Sequence, residues 1–149
     1  MATITYTVTV ATGTNQYGTG DKFYINGSVT PDLNLIEGNT YIFDTSDSTV
    51  SGDLFSFSTS ANNSPAAPYT TGVTQNGTAG TSGANTTIVV ATNAPTLYYY
   101  CSNHAGMGGA AYTLAAGSIS TTANFEASFT IDEVIEDAYE RCGVQGITG

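Results

Sequence analysis

Residues 3–10 read Thr-Ile-Thr-Tyr-Thr-Val-Thr-Val, an unbroken alternation. It puts Ile4, Tyr6, Val8 and Val10 on one side and Thr3, Thr5, Thr7 and Thr9 on the other. A period of two belongs to a strand with one face in a core and the other in water. The same grammar recurs along the chain. Residues 22–26 read as a short strand ending in Asn26-Gly27, a hairpin-type turn. Residues 33–36, the turn Glu37-Gly38-Asn39 and residues 40–43 read as strand, turn, strand, and residues 54–57, 86–90 and 97–101 add three strands. Residues 60–85, rich in Asn, Ser, Gly, Pro and Thr, read as a long exposed loop. Seven or so short strands with turn signals between them predict a β-sandwich or barrel. Threonine, with 26 copies in 149 residues, and ten tyrosines supply the matching β vocabulary.

The period changes near the C-terminus. Ile131, Val134, Ile135, Ala138, Tyr139 and Cys142 fall at helical spacing and form one apolar stripe. Thr130 and Glu133 have the spacing of a capping box, and Gly143 follows as a C-cap. The division expected is a body over residues 1–117, a linker over 118–127, and an amphipathic helix with its tail over 128–149. About 12 helical residues are marginal alone, so the stripe needs a partner surface. That partner is either the chain's own β body or another subunit.

Charge narrows the possible partners. Twelve acids against Lys22 and Arg141 give a net charge of −10. Half of it sits in residues 126–149, which hold six of the acids and Arg141. Binding nucleic acid through its phosphates needs many Lys or Arg, so no nucleic-acid partner is expected. An anionic membrane surface is excluded on the same ground. No apolar run approaches the roughly 20 residues of a membrane-spanning helix. The opening Met1-Ala2-Thr3-Ile4 has no basic or apolar secretion region, so cytoplasmic synthesis and free thiols at Cys101 and Cys142 are expected. Neither a nucleophile elbow nor a phosphate loop is visible, and the chain is not expected to be an enzyme.

The chemistry-bearing segment is Tyr98-Tyr99-Tyr100-Cys101-Ser102-Asn103-His104-Ala105-Gly106-Met107-Gly108-Gly109. It sets a thiol, an imidazole and a thioether at C-x2-H-x2-M spacing on a loop directly after a strand. Such a set can converge on one soft metal, as in a blue-copper site.

These residues, with the lead-in Pro95-Thr96-Leu97 and the earlier Tyr41-Ile42-Phe43-Asp44 and Leu54-Phe55-Ser56-Phe57-Ser58, resemble the cupredoxin family over roughly residues 1–115. The resemblance implies a mainly β, Greek-key β-sandwich with the ligand loop at one end, here followed by a short C-terminal amphipathic α-helix. It also exposes a departure. The family's copper takes two histidines, the first just before the Phe-Ser pair, where this chain has Asp53. His104 is the only histidine. Cys101, His104 and Met107 are therefore read as a degenerate copper-site remnant, with no cofactor expected.

The Tyr-Tyr-Tyr-Cys-x-Asn-His-x-Gly-Met-Gly-Gly segment is similar to cupredoxin-like domains of marine tailed-phage virion proteins. Residues 128–143 are similar to the opening helix of podovirus-type head–tail adaptors. The resemblance implies a virion structural protein, a capsid decoration or head–tail junction component. Its partners would be other virion proteins and further copies of itself. Ile131, Val134, Ile135, Ala138 and Tyr139 would form the anchor. Two alternatives stand beside it: a small copper electron carrier using Cys101, His104 and Met107, and a glycan-binding adhesion module.

Overall fold

Eleven strands build the β body: β1 (Thr3–Asn15), β2 (Gly18–Ile25), β3 (Ser28–Val29), β4 (Leu33–Ile36), β5 (Thr40–Asp44), β6 (Phe55–Ser58), β7 (Pro68–Tyr69), β8 (Val73–Asn76), β9 (Asn85–Val89), β10 (Leu97–Cys101) and β11 (Gly109–Leu114). They are seen in a computed structural model that describes residues 1–117. The linker expected at 118–127 and the helix at 128–149 lie outside the described residues. So do the cap Thr130/Glu133, the stripe Ile131, Val134, Ile135, Ala138 and Tyr139, and Cys142.

The strands form two sheets, ordered β3-β2-β1-β5-β9-β8 and β4-β11-β10-β6-β7. The alternation in residues 3–10 becomes the first part of β1, which divides its loyalties. Residues Thr3 to Thr7 pair in parallel with β5, and Val8 to Asn15 pair antiparallel with β2. Beyond Thr7 the side of β1 that faced β5 needs another partner. The hydroxyl of Thr49, in the 3₁₀ turn Ser48–Val50, accepts from the Val10 amide at 2.9 Å. Asn26-Gly27 makes the expected tight turn, both residues having positive φ, and joins β2 to β3.

The turn at residues 37–39 joins two strands of different sheets: β4 lies beside β11, and β5 between β1 and β9. Residues 60–85 depart from the expected loop. They contain the 3₁₀ turn Ala61–Asn63 and two edge strands, β7 on β6 and β8 on β9. Val73-Thr74-Gln75-Asn76 has one apolar residue, so its strand character comes from pairing rather than from an apolar face. β11 is a further strand beyond those expected.

The inner faces of the two sheets share one apolar core. Val8, Phe23, Ile25, Tyr41, Phe43 and Ile88 come from the first sheet, and Leu33, Leu35, Phe55, Phe57, Leu97 and Tyr99 from the second. Phe43 stacks on Phe55 across the interior at 4.6 Å between ring centroids, and Phe23 meets Phe55 edge-on at 5.0 Å. The three consecutive tyrosines divide as a strand requires. Tyr99 fills the core and its hydroxyl donates to the Pro31 carbonyl at 2.6 Å. Tyr100, on the opposite face, lines a groove with Tyr69, Ser56 and Gln75. No helix among the described residues is long and apolar enough to cross a membrane.

Candidate functional site

Two segments distant in sequence meet at one end of the β body. The first is the descent from the turn Ser48–Val50 to β6. Gly52, at φ +83°, takes the left-handed conformation that turns the chain, and the Asp53 amide donates to the Val50 carbonyl at 2.9 Å. Asp53 thereby enters the interior just before β6. The second is the end of β10 and the loop over residues 102–108. Cys101 pairs with Phe55 in the β10–β6 register, which brings its thiol beside Asp53.

Three side chains converge there. His104 Nδ1 lies 2.7 Å from Asp53 Oδ1, and the Cys101 thiol donates to the same oxygen at 3.3 Å. Cys101 Sγ and His104 Nδ1 are 3.7 Å apart. A carboxylate can only accept, so the imidazole directs its Nδ1 proton at Asp53. Asp53 is 7% exposed and Cys101 4%, whereas the His104 side chain is 62% exposed. The Asn103 amide donates to Cys101 Sγ at 3.4 Å. Burial pushes the Cys101 thiol up, the Asn103 amide opposes this, and the Asp53 carboxylate adds to it. The result is a protonated, buried thiol, the opposite of an activated nucleophile.

Sequence reasoning named Asp53, Cys101 and His104, and the fold brings these three together. Met107, the fourth residue named, is fully buried within the apolar core, and its carbonyl accepts from the Phe23 amide at 2.9 Å. The residues that hold the loop were not anticipated. Asn103 Nδ2 donates to the Gly52 carbonyl at 2.7 Å, joining the two segments directly. The Gly106 amide donates to Asn62 Oδ1 at 2.7 Å. The Gly106 carbonyl accepts from Lys22 Nζ at 2.7 Å and from Asn15 Nδ2 at 3.0 Å. Lys22 is 3% exposed, a buried cation spent on positioning one carbonyl. Its sequence signal was its place, the lone basic residue of the first 125, inside a strand beside Phe23.

The family resemblance implies copper, and the residues present do not fit it. Type 1 copper takes two imidazoles and a thiolate. This chain has one histidine, and Asp53 takes the remaining side of the thiol. His104 Nδ1 and the thiol proton are both engaged by that carboxylate. No protein-family model matches the chain, and no curated protein matches it.

Proposed function

We propose that this chain is a non-enzymatic structural subunit of a tailed-phage virion, with a cupredoxin-like Greek-key sandwich as its body. The observation that carries the non-catalytic part of this reading is the corner at Asp53. Asp53 accepts from both Cys101 and His104 on one oxygen, so neither group is presented as a ligand for a redox copper. Such an arrangement serves rigidity: three polar side chains and four loop ties hold one end of the body together. The thiol proton points at a carboxylate, and the imidazole nitrogen 3.7 Å from the sulfur directs its own proton at that same carboxylate, which argues against thiol catalysis. A sparsely charged β surface suits a subunit that packs among neighbours, and the acidic C-terminal segment supplies the anchor.

The test is the copy number and position of the protein in purified particles, by quantitative mass spectrometry and immunogold labelling. A fixed copy number per particle is expected, and a Val134→Asp/Ile135→Asp variant should be soluble but missing from particles. Normal incorporation of that variant would refute the anchor, and absence of the native protein from particles would refute the virion reading. Copper(II) titration separates the electron-carrier alternative. An intense visible thiolate-to-copper band, lost in Cys101→Ser, would favour the carrier.

A further inference from the structure

The corner that rejects type 1 copper has the composition of a different metal site. Asp53, Cys101 and His104 offer one carboxylate oxygen, one sulfur and one imidazole nitrogen, all within 4.8 Å of one another. Bond lengths of about 2.3 Å to sulfur and about 2.0–2.2 Å to nitrogen and oxygen put the ligand–ligand edges of a zinc tetrahedron at about 3.4–3.6 Å. The observed separations are 3.7 Å for Cys101–His104, 3.3 Å for Cys101–Asp53 and 2.7 Å for His104–Asp53. Two edges already match within about 0.3 Å, and the third must open by about 0.7 Å. His104 can supply that movement, since its side chain stands largely in solvent.

Charge and hydrogen bonding supply a second, independent observation. Both hydrogen bonds to the buried Asp53 carboxylate fall on Oδ1, and among the described residues none reaches Oδ2. Among the described residues its one ion-pair partner is His104, charged only when protonated, and no Lys or Arg joins it. A buried carboxylate left in this state is costly. A divalent cation held by this carboxylate and a thiolate would leave the corner electrically neutral. A pocket of about 200 Å³, lined by Asn62, Asn63, Asn103 and His104, opens over Cys101 and reaches two of the three side chains from solvent.

We propose that Asp53, Cys101 and His104 form a mononuclear zinc(II) site, tetrahedral with one water, that braces the 102–108 loop against β6. On binding, the Cys101 S–H bond breaks and its proton goes to solvent. The His104 proton moves from Nδ1 to Nε2, freeing the Nδ1 lone pair for the metal. No electron is transferred. A borderline-soft ion without redox chemistry fits a mixed sulfur, nitrogen and oxygen set.

The experiment uses the reduced, chelator-treated full chain titrated with cobalt(II), then zinc(II), at neutral pH. One equivalent of cobalt should give the strong visible bands of tetrahedral coordination and a near-ultraviolet thiolate-to-cobalt charge-transfer band, both erased by zinc. About one proton should be released per ion, and zinc should raise the melting temperature. The charge-transfer band should vanish in Cys101→Ser and persist in Cys142→Ser. Loss of even an outer-shell partner costs 10–100-fold in metal affinity, so Asp53→Asn and His104→Ala should each weaken zinc by at least about 100-fold.

Met107→Leu, a swap of similar volume, should leave zinc binding intact. The absence of tetrahedral bands would overturn the proposal. So would unchanged affinity in a His104→Ala variant whose circular dichroism matches that of the native chain, or abolition of binding by Met107→Leu. The proposal shares its corner with the virion reading but not its fate: failed cobalt binding leaves incorporation into particles untouched, and the reverse also holds.

Discussion

Phe55 is where the two sheets meet, and truncating it should remove a large share of the body's stability. Its ring is fully buried. It stacks on Phe43 at 4.6 Å and meets Phe23 at 5.0 Å, both across the interior. It also stacks on Tyr99 at 5.4 Å and meets Phe57 at 5.6 Å within its own sheet. Truncating a buried Phe to Ala costs about 3–5 kcal/mol. Each aromatic pair adds about 0.5–1.5 kcal/mol beyond area burial, which places this site at the upper end. A domain with about 5–15 kcal/mol in total then loses between about a third and all of its stability. Urea unfolding followed by far-UV circular dichroism and tyrosine fluorescence, free of tryptophan background, measures the change. A cycle of Phe43→Leu and Phe55→Leu isolates the cross-sheet stack, with an expected coupling of about 0.5–1.5 kcal/mol. A loss below about 2 kcal/mol for Phe55→Ala, or additivity within about 0.3 kcal/mol in the cycle, would refute the central role assigned to this ring.

Gly108→Ala should destabilise by more than 2 kcal/mol, because a Cβ there would overlap the Tyr99 carbonyl, which is backbone and cannot swing aside. Gly27→Ala, in open space at φ +85°, carries only conformational strain of about 1–2 kcal/mol, and denaturant midpoints should rank the two accordingly. Burial, and then the Asp32 charge, hold the Tyr99 phenol far above its ordinary range. Its contribution to stability is therefore complete below the unfolded pKa of about 10 and is lost as pH rises above it. Tyr99 should ionise only as the body unfolds at alkaline pH; a simple early titration, resolved by comparison with Tyr99→Phe, would contradict this. Native Cys101 should resist iodoacetamide at neutral pH and react as pH rises past the ordinary thiol range, with peptide mass mapping separating it from Cys142.

Where side-chain period and strand coincide, the sequence was legible. The alternation in residues 3–10 lies within β1, and residues 97–101 match β10. Legibility failed where neighbours set the structure. Gly109-Ala110-Ala111 has no β propensity to advertise, yet it is part of a strand because β11 pairs with both β4 and β10, in a crowded place that favours small residues. A Cβ on Gly109 would lie 3.1 Å from both the Thr30 carbonyl and the Tyr99 hydroxyl, and Ala110 and Ala111 are buried. β7 has two residues and β8 is polar, so neither carries a periodic signal.

The site divides in the same way. Cys101 and His104 are visible as local spacing. Asp53 lies 51 residues from His104, and only the family pattern directed attention to it. The ties from Asn15, Lys22 and Asn62 arrive from 44 to 91 residues away, and no local rule reaches them.

The divided pairing of β1 has a mechanical consequence. Its pairs with β5 run parallel from Thr3 to Thr7, and its pairs with β2 begin at Val8. The six-stranded sheet is therefore a three-stranded part, β3-β2-β1, and a four-stranded part, β1-β5-β9-β8, that share β1 end to end. A pull along β1 toward the N-terminus would load the parallel rungs together in shear, the stiff direction of a ladder. A pull across the sheet would open the rungs one at a time. The body should thus resist force strongly along one axis and weakly along the other, a directionality that single-molecule pulling between engineered handles would read directly.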